Sequence, residues 1–295
     1  RALELSYLTG GLTWQADYVA ELAANETELA LSGWVTLTNR SGTAYRNARL
    51  QLVAGDVNRV EPALRRGRVA ETMMAKSDAG ALREESLLDY HLYTLGRPTT
   101  LADQQTKQVA LVAAPAVQVQ KEYHLDGAEY YYGTRLGEVD TPHKVAVLLH
   151  VDNRKAAGLG LPLPAGVVRV YQRDSAGGVQ FIGEDRIDHT PENETAKIKL
   201  GDAFDVTARR TQTDFKVLTV DKGERPRFES AWRLDFKNAR KVPVVITVDE
   251  PLPGDWEIVD DSQPHQKFGA HGARWRVTIP PGGGQTLTYR VRVRM

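Results

Sequence analysis

The chain has 295 residues with 38 basic and 38 acidic side chains, so its formal net charge is zero, and it contains no cysteine. The length suggests two domains, although single all-β domains of about 200–250 residues exist. The lack of cysteine excludes thiolate nucleophiles, zinc–thiolate sites and iron–sulfur clusters. The balanced charge argues against a nucleic-acid partner. No apolar run approaches the ~18 residues that a membrane-spanning helix needs, so no transmembrane segment is predicted.

The first residues suggest a piece of a longer protein. The chain begins Arg-Ala-Leu-Glu and shows no apolar segment followed by a small-residue cleavage site, which a signal peptide would have. We therefore expect a processed or truncated product whose signal peptide is absent.

Alternating apolar and polar residues predict β-strands along the first half of the chain. The predicted segments are residues 14–23, 28–38, 48–53, 87–95, 107–113, 117–125 and 144–153. In the second segment the apolar face shifts by one residue at Ser32-Gly33, which predicts a β-bulge. Residues 87–95 and 107–113 are predicted to pair as a hairpin. Residues 144–153, apolar on both faces, are predicted to form a central strand.

A charged segment interrupts this pattern at residues 61–86. It contains two methionines and several alanines but no clean period. Its helix propensity is moderate, and Gly67 and Gly80 interrupt it. We predict a mobile insertion or a short surface helix.

A Gly- and Pro-rich stretch in the middle of the chain, residues 158–174, reads GLGLPLPAGVVRVYQRD. Its first half excludes a helix and predicts tight turns. Its second half, residues 167–171, alternates and predicts a strand. We expect this turn-and-strand unit to join two β-rich halves.

The last third has the cleanest alternation, and it completes the prediction of an all-β fold. The apolar positions fall on four segments, namely Trp232, Leu234 and Phe236; Val244, Ile246 and Val248; Trp275, Val277 and Ile279; and Leu287, Tyr289, Val291 and Val293. Such spacing is typical of antiparallel sandwiches. We predict antiparallel β-sandwich units, with a β-rich portion at residues 1–220 holding two sandwich-like units and the 61–86 insertion. An Ig-like sandwich is predicted at residues 225–295.

Three predicted strands end in asparagine. Asn39, Asn153 and Asn238 each end a predicted strand and precede Arg or Ala. Asparagine tolerates the left-handed conformation and bonds its own backbone, so it suits a strand exit. The pattern favours three related units, although asparagine is also common in turns.

No catalytic or metal-binding motif stands out, and no cofactor is predicted. The seven histidines form neither H-x-x-x-H nor H-E-x-x-H, the spacings that place two ligands on one helix face. His150 and Asp152 share a strand face and could chelate a metal with His189, but packed or solvated histidines are the simpler interpretation. No serine lies in a G-x-S-x-G elbow.

The most unusual cluster is Tyr130-Tyr131-Tyr132. Exposed tyrosines supply rigid, amphipathic contact area for a protein or sugar partner. The alternative places at least one ring in the core and the others at its rim. These three residues are the predicted binding site.

Several short motifs resemble a known family. They are Gly11-Leu12-Thr13-Trp14 with Tyr18, Leu31-Ser32-Gly33-Trp34, and Leu163-Pro164-Ala165-Gly166 with Tyr171. Together they resemble the C-terminal domain of mucoidy-inhibitor-like bacterial proteins, a domain of unknown function, over nearly the whole chain. Members carry a signal peptide, an N-terminal β-domain and a coiled coil before this domain, so the resemblance implies a periplasmic or exported protein of the cell envelope. The family has no established catalytic residues, and none is carried over.

The first functional hypothesis is a non-enzymatic binding or scaffolding module of the bacterial cell envelope, whose partner is an envelope protein or polysaccharide. The alternative is an envelope polysaccharide hydrolase that uses carboxylates meeting across strands. A third possibility is an adhesin or viral surface protein, in which the sequons at Asn25 and Asn193 would carry glycans.

Overall fold

The computed structural model describes residues 3–55, 77–78, 82–88, 90–136, 142–218 and 226–294. It is nearly all β, and its sheets are mainly antiparallel, as the alternation predicts. Within the described residues, no helix is long and apolar enough to cross a bilayer. The strands are β1 (Leu12–Leu22), β2 (Glu28–Asn39), β3 (Tyr45–Ala48), β4 (Gln51–Ala54), β5 (Ser77–Asp78), β6 (Leu82–Leu87), β7 (Tyr90–Leu95), β8 (Thr99–Leu101), β9 (Thr106–Asp126), β10 (Pro142–Asp152), β11 (Gly166–Arg173), β12 (Val179–Ile187), β13 (Thr195–Leu218), β14 (Arg227–Asn238), β15 (Val244–Pro251), β16 (Asp255–Asp261), β17 (Gln266–Lys267), β18 (Gly272–Ile279) and β19 (Gly284–Arg294).

Two short 3-10 helices complete the described elements. They are η1 (Glu129–Tyr132) between β9 and β10, and η2 (Lys155–Ala157) between β10 and β11.

The shift of face predicted at Ser32-Gly33 of strand β2 is wrong, although the pairing of β2 with β9 does shift register between Gly33 and Trp34, next to the predicted β-bulge. Burial alternates without a break along this strand, so Gly33 lies on the buried face and Trp34 on the opposite one. A Cβ at Gly33 would lie only 2.7 Å from the Tyr18 ring, closer than side-chain carbons pack. Position 33 faces inward but must be glycine, because the Tyr18 ring fills the space that a side chain would need. Since glycine does not read as an apolar residue, the sequence pattern does not reveal that this position is buried.

The predicted hairpin between residues 87–95 and 107–113 is wrong. Strand β7 pairs with β4 and β6, whereas residues 106–118 of β9 pair with β2. The short strand β8 and its turns separate the two segments. Alternation identified both strands, but it carries no information on which strand pairs with which.

Strand β9 is much longer than its two predicted pieces. Residues 107–113 and 117–125 lie on the single 21-residue strand β9, which continues through Pro115. Strand β13 likewise runs for 24 residues. Proline disfavours the middle of a strand because it lacks a donor, which is why the sequence favoured a break.

The insertion predicted at residues 61–86 falls mostly outside the described residues. Residues 61–76 and 79–81 are not described. Part of the remainder, Leu82–Leu87, is strand β6, which pairs antiparallel with β7, so the helix alternative does not hold there.

The chain forms two compact units. Unit 1 comprises Arg1–Gln120 and His150–Ile198, and unit 2 comprises Lys121–Leu149 and Lys199–Met295. The domain boundary between residues 220 and 225 stays a prediction.

Unit 1 is built on a sheet in which β12, β11, β1, β2 and β9 are neighbours in that order. Strands β1 and β11 run parallel, and the other pairs are antiparallel. One core cluster joins apolar residues of β2 and β9 to residues of β4 and β7 from the small three-stranded sheet.

Two tyrosines hold the Gly- and Pro-rich stretch inside unit 1. The Tyr18 hydroxyl donates to the Pro164 carbonyl at 2.8 Å, and the Tyr93 hydroxyl donates to the Pro162 carbonyl at 2.9 Å. Both rings are buried. Prolines remove donors but leave carbonyls that require partners, and the phenols supply them. The strand predicted at residues 167–171 is part of β11.

Unit 2 has a sandwich-like arrangement of two layers, which belong to one continuous hydrogen-bonded sheet because β9 and β10 are neighbours. Strands β10, β13, β14, β19 and β16 follow one another in one layer, and β9, β15, β18 and β17 form the other. A single apolar cluster joins both layers, and the Trp275 and Tyr289 rings stack across it with centroids 4.8 Å apart. The sandwich-like arrangement predicted for the last third is present, but it also includes β9, β10 and β13 from outside residues 225–295, and its Ig-like character stays a prediction.

The three strand-ending asparagines make the same contacts. Asn39, Asn153 and Asn238 are buried, and each Nδ2 lies within 3.5 Å of three backbone carbonyl oxygens. Each Oδ1 in turn accepts a backbone N–H from the following connection. The asparagine pattern in the sequence therefore marks one structural device used three times.

Candidate functional site

The predicted tyrosine cluster forms the helix η1 in unit 2. Tyr131 and Tyr132 are buried, whereas the Tyr130 side chain is exposed at 65%. The Tyr130 ring meets the Tyr131 ring edge to face, with centroids 4.7 Å apart. The structure thus brings the three residues together but leaves only Tyr130 accessible to a partner.

A fully buried ion pair lies beneath η1. Arg210 on β13 bonds to Glu250 on β15 through Nη1 and Oε1, and neither side chain reaches solvent. The Tyr132 hydroxyl donates to Glu250 Oε2 at 2.7 Å and lies 2.9 Å from the Tyr289 hydroxyl. One carboxylate therefore fixes both the arginine and the tyrosine segment.

The electrostatics of this cluster follow from its burial. Burial raises the pKa of Tyr132 and of Tyr289 well above the ordinary value, and the Glu250 carboxylate raises both further. Burial alone would lower the pKa of Arg210, but Glu250 outweighs that effect and the arginine pKa is raised. At neutral pH the two phenols therefore stay protonated and the guanidinium stays charged.

The rest of the Arg210 guanidinium lies against aromatic rings. Within the described part of the chain, its Nε and Nη2 are buried and have no hydrogen-bond partner. Its Cζ lies 4.8 Å from the Tyr131 centroid and 5.9 Å from that of Trp232. Ring faces attract a desolvated cation, which offsets part of the missing hydrogen bonding.

Gly127, which directly follows β9, lies against the Glu250 carboxylate. A Cβ added there would overlap the Glu250 carboxylate, so only glycine leaves space for the buried acid. Its backbone N–H donates to the Asp249 carbonyl at 2.7 Å. The turn leading to η1 is therefore fastened directly to β15.

The opposite face of β15 carries a second group of charges. Asp249, next to Glu250, accepts two hydrogen bonds from Arg274 on β18, each 2.6 Å long. His124 Nε2 on β9 lies 2.9 Å from Asp126 Oδ1 and 3.6 Å from Asp249 Oδ2. On the other side of this ring, Nδ1 lies 3.3 Å from Glu122 Oε1.

The histidine and aspartate weighed as metal ligands in unit 1 are not grouped with His189. Asp152 is held by Arg154 through both carboxylate oxygens, and His189 Nδ1 accepts the Ala165 N–H at 3.2 Å. Among the described residues, the ligand atoms of His150, Asp152 and His189 do not cluster, whereas those of His124, Asp126 and Asp249 do.

Sequence reasoning missed both charge groups, although the alternation contained a signal for one. Arg210 continues the inward series of Val206 and Ala208 on β13, and Glu250 continues that of Ile246 and Val248 on β15. A charge at an inward position requires a buried partner. Two such charges of opposite sign, on strands of one sandwich, could have been paired.

Comparison with known proteins identifies a family for this chain. A search of curated proteins finds no match. The family model described as Domain of unknown function (DUF4139) matches residues 3–295, essentially the whole chain. The chain therefore belongs to this family of domains of unknown function.

Proposed function

We propose that this chain is a non-enzymatic binding or scaffolding module of the bacterial cell envelope. We further propose that it is the C-terminal domain of a mucoidy-inhibitor-like protein, periplasmic or exported. The observation that carries the proposal is the exposed Tyr130 ring standing beside two buried tyrosines. The resemblance in sequence supports the location.

The surroundings of Tyr130 suit recognition because they are rigid. The next two residues of η1 are fastened by the Glu250 carboxylate and by the Arg210 guanidinium. A partner therefore meets an aromatic ring whose backbone is already ordered. Binding to such a surface loses less conformational entropy than binding to a mobile loop.

The exposed side chains of Glu129 and Tyr130 on η1 form a surface, here called the tip, whose chemistry fits a protein or polysaccharide partner. Glu129, beside Tyr130, is also exposed, so the tip offers a ring face, a phenol hydroxyl and a carboxylate. Tyrosine is enriched among residues that dominate binding energy at interfaces. Carboxylates accept hydrogen bonds from sugar hydroxyls as well as from protein donors.

The buried acids also support a non-enzymatic role. Glu250 is bonded to Arg210, and Asp249 to Arg274. Glu229 accepts from Arg290 and Arg292; burial would raise its pKa, but these hydrogen bonds outweigh burial and lower it. A general acid needs a raised pKa, so the lowered pKa of Glu229 argues against that role for this residue.

The test is affinity capture with the purified chain as bait. The bacterial envelope extract is first separated into protein and polysaccharide fractions. We compare the parent with Tyr130→Ala, and with Phe204→Ala as a matched control because Phe204 is 95% exposed on β13 of the same unit. The proposal expects one fraction to be retained by the parent and by Phe204→Ala but not by Tyr130→Ala.

Equal capture by all three proteins would show that Tyr130 is not the contact. Failure of every fraction to bind the folded parent would count against a binding module altogether. Circular dichroism establishes that each variant is folded before capture.

One observation favours the hydrolase alternative. Ligand oxygens of Asp126 and Asp249 lie within 4.8 Å of each other, comparable with the about 5–5.5 Å between the carboxyl groups of retaining glycosidases. Arg274 holds both oxygens of Asp249, which is why binding is the preferred function. Release of reducing ends from the polysaccharide fraction by the parent, and its loss in Asp126→Asn, would reverse that preference.

A further inference from the structure

The register of three strands places one histidine and two aspartates together in unit 2. Asp126 of β9 is paired with Asp249 of β15, and Asp249 is paired with Arg274 of β18. His124 precedes Asp126 by two residues, so both side chains lie on one face of the sheet. Tyr123 and Leu125 point the other way, into the sandwich core. The cluster is therefore fixed by backbone pairing.

The separations of the three side chains fit a bound cation. His124 Nε2 lies 2.9 Å from Asp126 Oδ1 and 3.6 Å from Asp249 Oδ2, and all three ligand atoms lie within 4.8 Å of one another. Ligands at 2.0–2.1 Å from a tetrahedral Zn²⁺ are about 3.3 Å apart. The two histidine–carboxylate distances lie on either side of that value.

The next layer of contacts is the one that metal-binding histidines use. Glu122 Oε1 lies 3.3 Å from His124 Nδ1, the carboxylate–histidine arrangement that places a proton on Nδ1 and directs the other nitrogen to a metal. The imidazole is almost completely buried, so Nε2 faces the two aspartates rather than solvent. A divalent cation bound there would take the place of the proton that otherwise lies between Nε2 and the Asp126 carboxylate.

The charges of the cluster leave room for a divalent ion. Glu122, Asp126 and Asp249 carry three negative charges, and Arg274 supplies one positive charge. Asp249 already bonds to Arg274, but each carboxylate oxygen has two lone pairs, and metal-bound carboxylates are commonly hydrogen-bonded.

We propose that His124 Nε2, Asp126 and Asp249 bind a first-row divalent cation of the Zn²⁺ type. One nitrogen and two oxygens are a ligand set that such ions accept. The Asp126 side chain is 75% exposed, so the ion can enter from solvent and a water can occupy the fourth position. This site is separate from the Tyr130 surface, and its failure would leave the proposed binding function untouched.

The experiment is a titration of the chelator-treated, untagged chain with ZnCl₂ by isothermal calorimetry, together with metal analysis after dialysis. The parent is expected to bind one Zn²⁺ per chain. Asp126→Asn should bind at least tenfold more weakly, and so should His124→Gln. Asp205→Asn removes an exposed carboxylate elsewhere in unit 2 and should bind like the parent.

Two further measurements separate a metal site from a structural ion-pair network. Zn²⁺ should raise the Tm of the parent and of Asp205→Asn, since a ligand that binds only the folded state stabilises it, but not that of Asp126→Asn. Glu122→Gln should weaken binding about 10–100-fold. The proposal is overturned if the parent binds no stoichiometric Zn²⁺, or if Asp126→Asn and His124→Gln bind as tightly as the parent.

Discussion

Strand β15 carries two adjacent carboxylates in opposite environments, one on each face. Glu250 points into the sandwich, where Arg210 and two phenols surround it without solvent. Asp249 points to the other face, where it meets Arg274 and lies near a histidine. Successive residues of a strand alternate between faces, so one position in sequence separates a sealed ion pair from an accessible charge cluster.

This comparison shows that an ion pair with arginine does not by itself determine whether a carboxylate can take part in ligand binding. Both carboxylates are held by an arginine, yet only the Asp249 side has an exposed neighbour, Asp126, that a ligand could reach. The Glu250 side fixes the fold, and the Asp249 side can respond to solvent.

The largest effect is expected from Glu250→Gln. It leaves the Arg210 charge buried without a counter-ion, and removing one partner of a buried pair costs about 3–5 kcal/mol. The free energy of unfolding, measured by urea denaturation with tryptophan fluorescence, should fall by that amount. The double change Arg210→Met with Glu250→Leu should recover much of it. A loss as large in the double variant as in Glu250→Gln would contradict the argument.

Removing one phenol should have the next largest effect. Tyr132→Phe deletes a hydrogen bond to a buried carboxylate, and hydrogen bonds to charged groups contribute about 1.5–3 kcal/mol. Tyr130→Phe is the matched control because its ring is largely exposed, and surface changes usually stay within about 0.5 kcal/mol. Equal losses from the two changes would show that the buried hydroxyl is not special.

The two buried phenols beside Glu250 should also determine how stability changes at high pH. Tyr132 and Tyr289 have raised pKa values when folded, whereas in the unfolded chain they ionise near pH 10. Their stabilising contribution is complete below about pH 10 and is lost as the pH rises further. Each phenol then lowers the free energy of unfolding by about 1.4 kcal/mol per pH unit. Tyr132→Phe should reduce the slope of a pH series between 10 and 11, and an unchanged slope would contradict the assignment.

The smallest effect is expected on the accessible side of β15. Asp126→Asn removes a largely exposed carboxylate, and exposed ion pairs contribute about 0–1 kcal/mol. Its urea midpoint in the absence of metal should therefore stay close to that of the parent. A loss comparable with that of Glu250→Gln would show that both faces of β15 are structural.

The sequence was sufficient for the strands and insufficient for their partners. Alternation identifies β14, β15, β18 and β19, because each buries one face against a core. It also placed Asn39, Asn153 and Asn238 at strand ends. It could not show that residues 87–95 pair away from residues 107–113, because pairing depends on contacts distant in sequence.

Only part of the candidate site was predictable, because its members also come from strands that are distant in sequence. The tyrosine run was noticeable by composition, but its burial depends on Arg210 and Glu250, which lie 78 and 118 residues away from Tyr132 in the chain. The His124 cluster shows no recognisable spacing because its third member comes from β15 through parallel pairing. A ligand set assembled across strands leaves no local motif.

The three buried asparagines hold connections between strands by a means that does not depend on pH or salt. An amide has no charge, so it neither titrates nor is screened by salt. Replacing the Nδ2 group by oxygen, as in Asn238→Asp, would direct an anion at carbonyl oxygens. The connections at these three strand ends are therefore held by uncharged hydrogen bonds, which we expect to persist when pH or ionic strength changes.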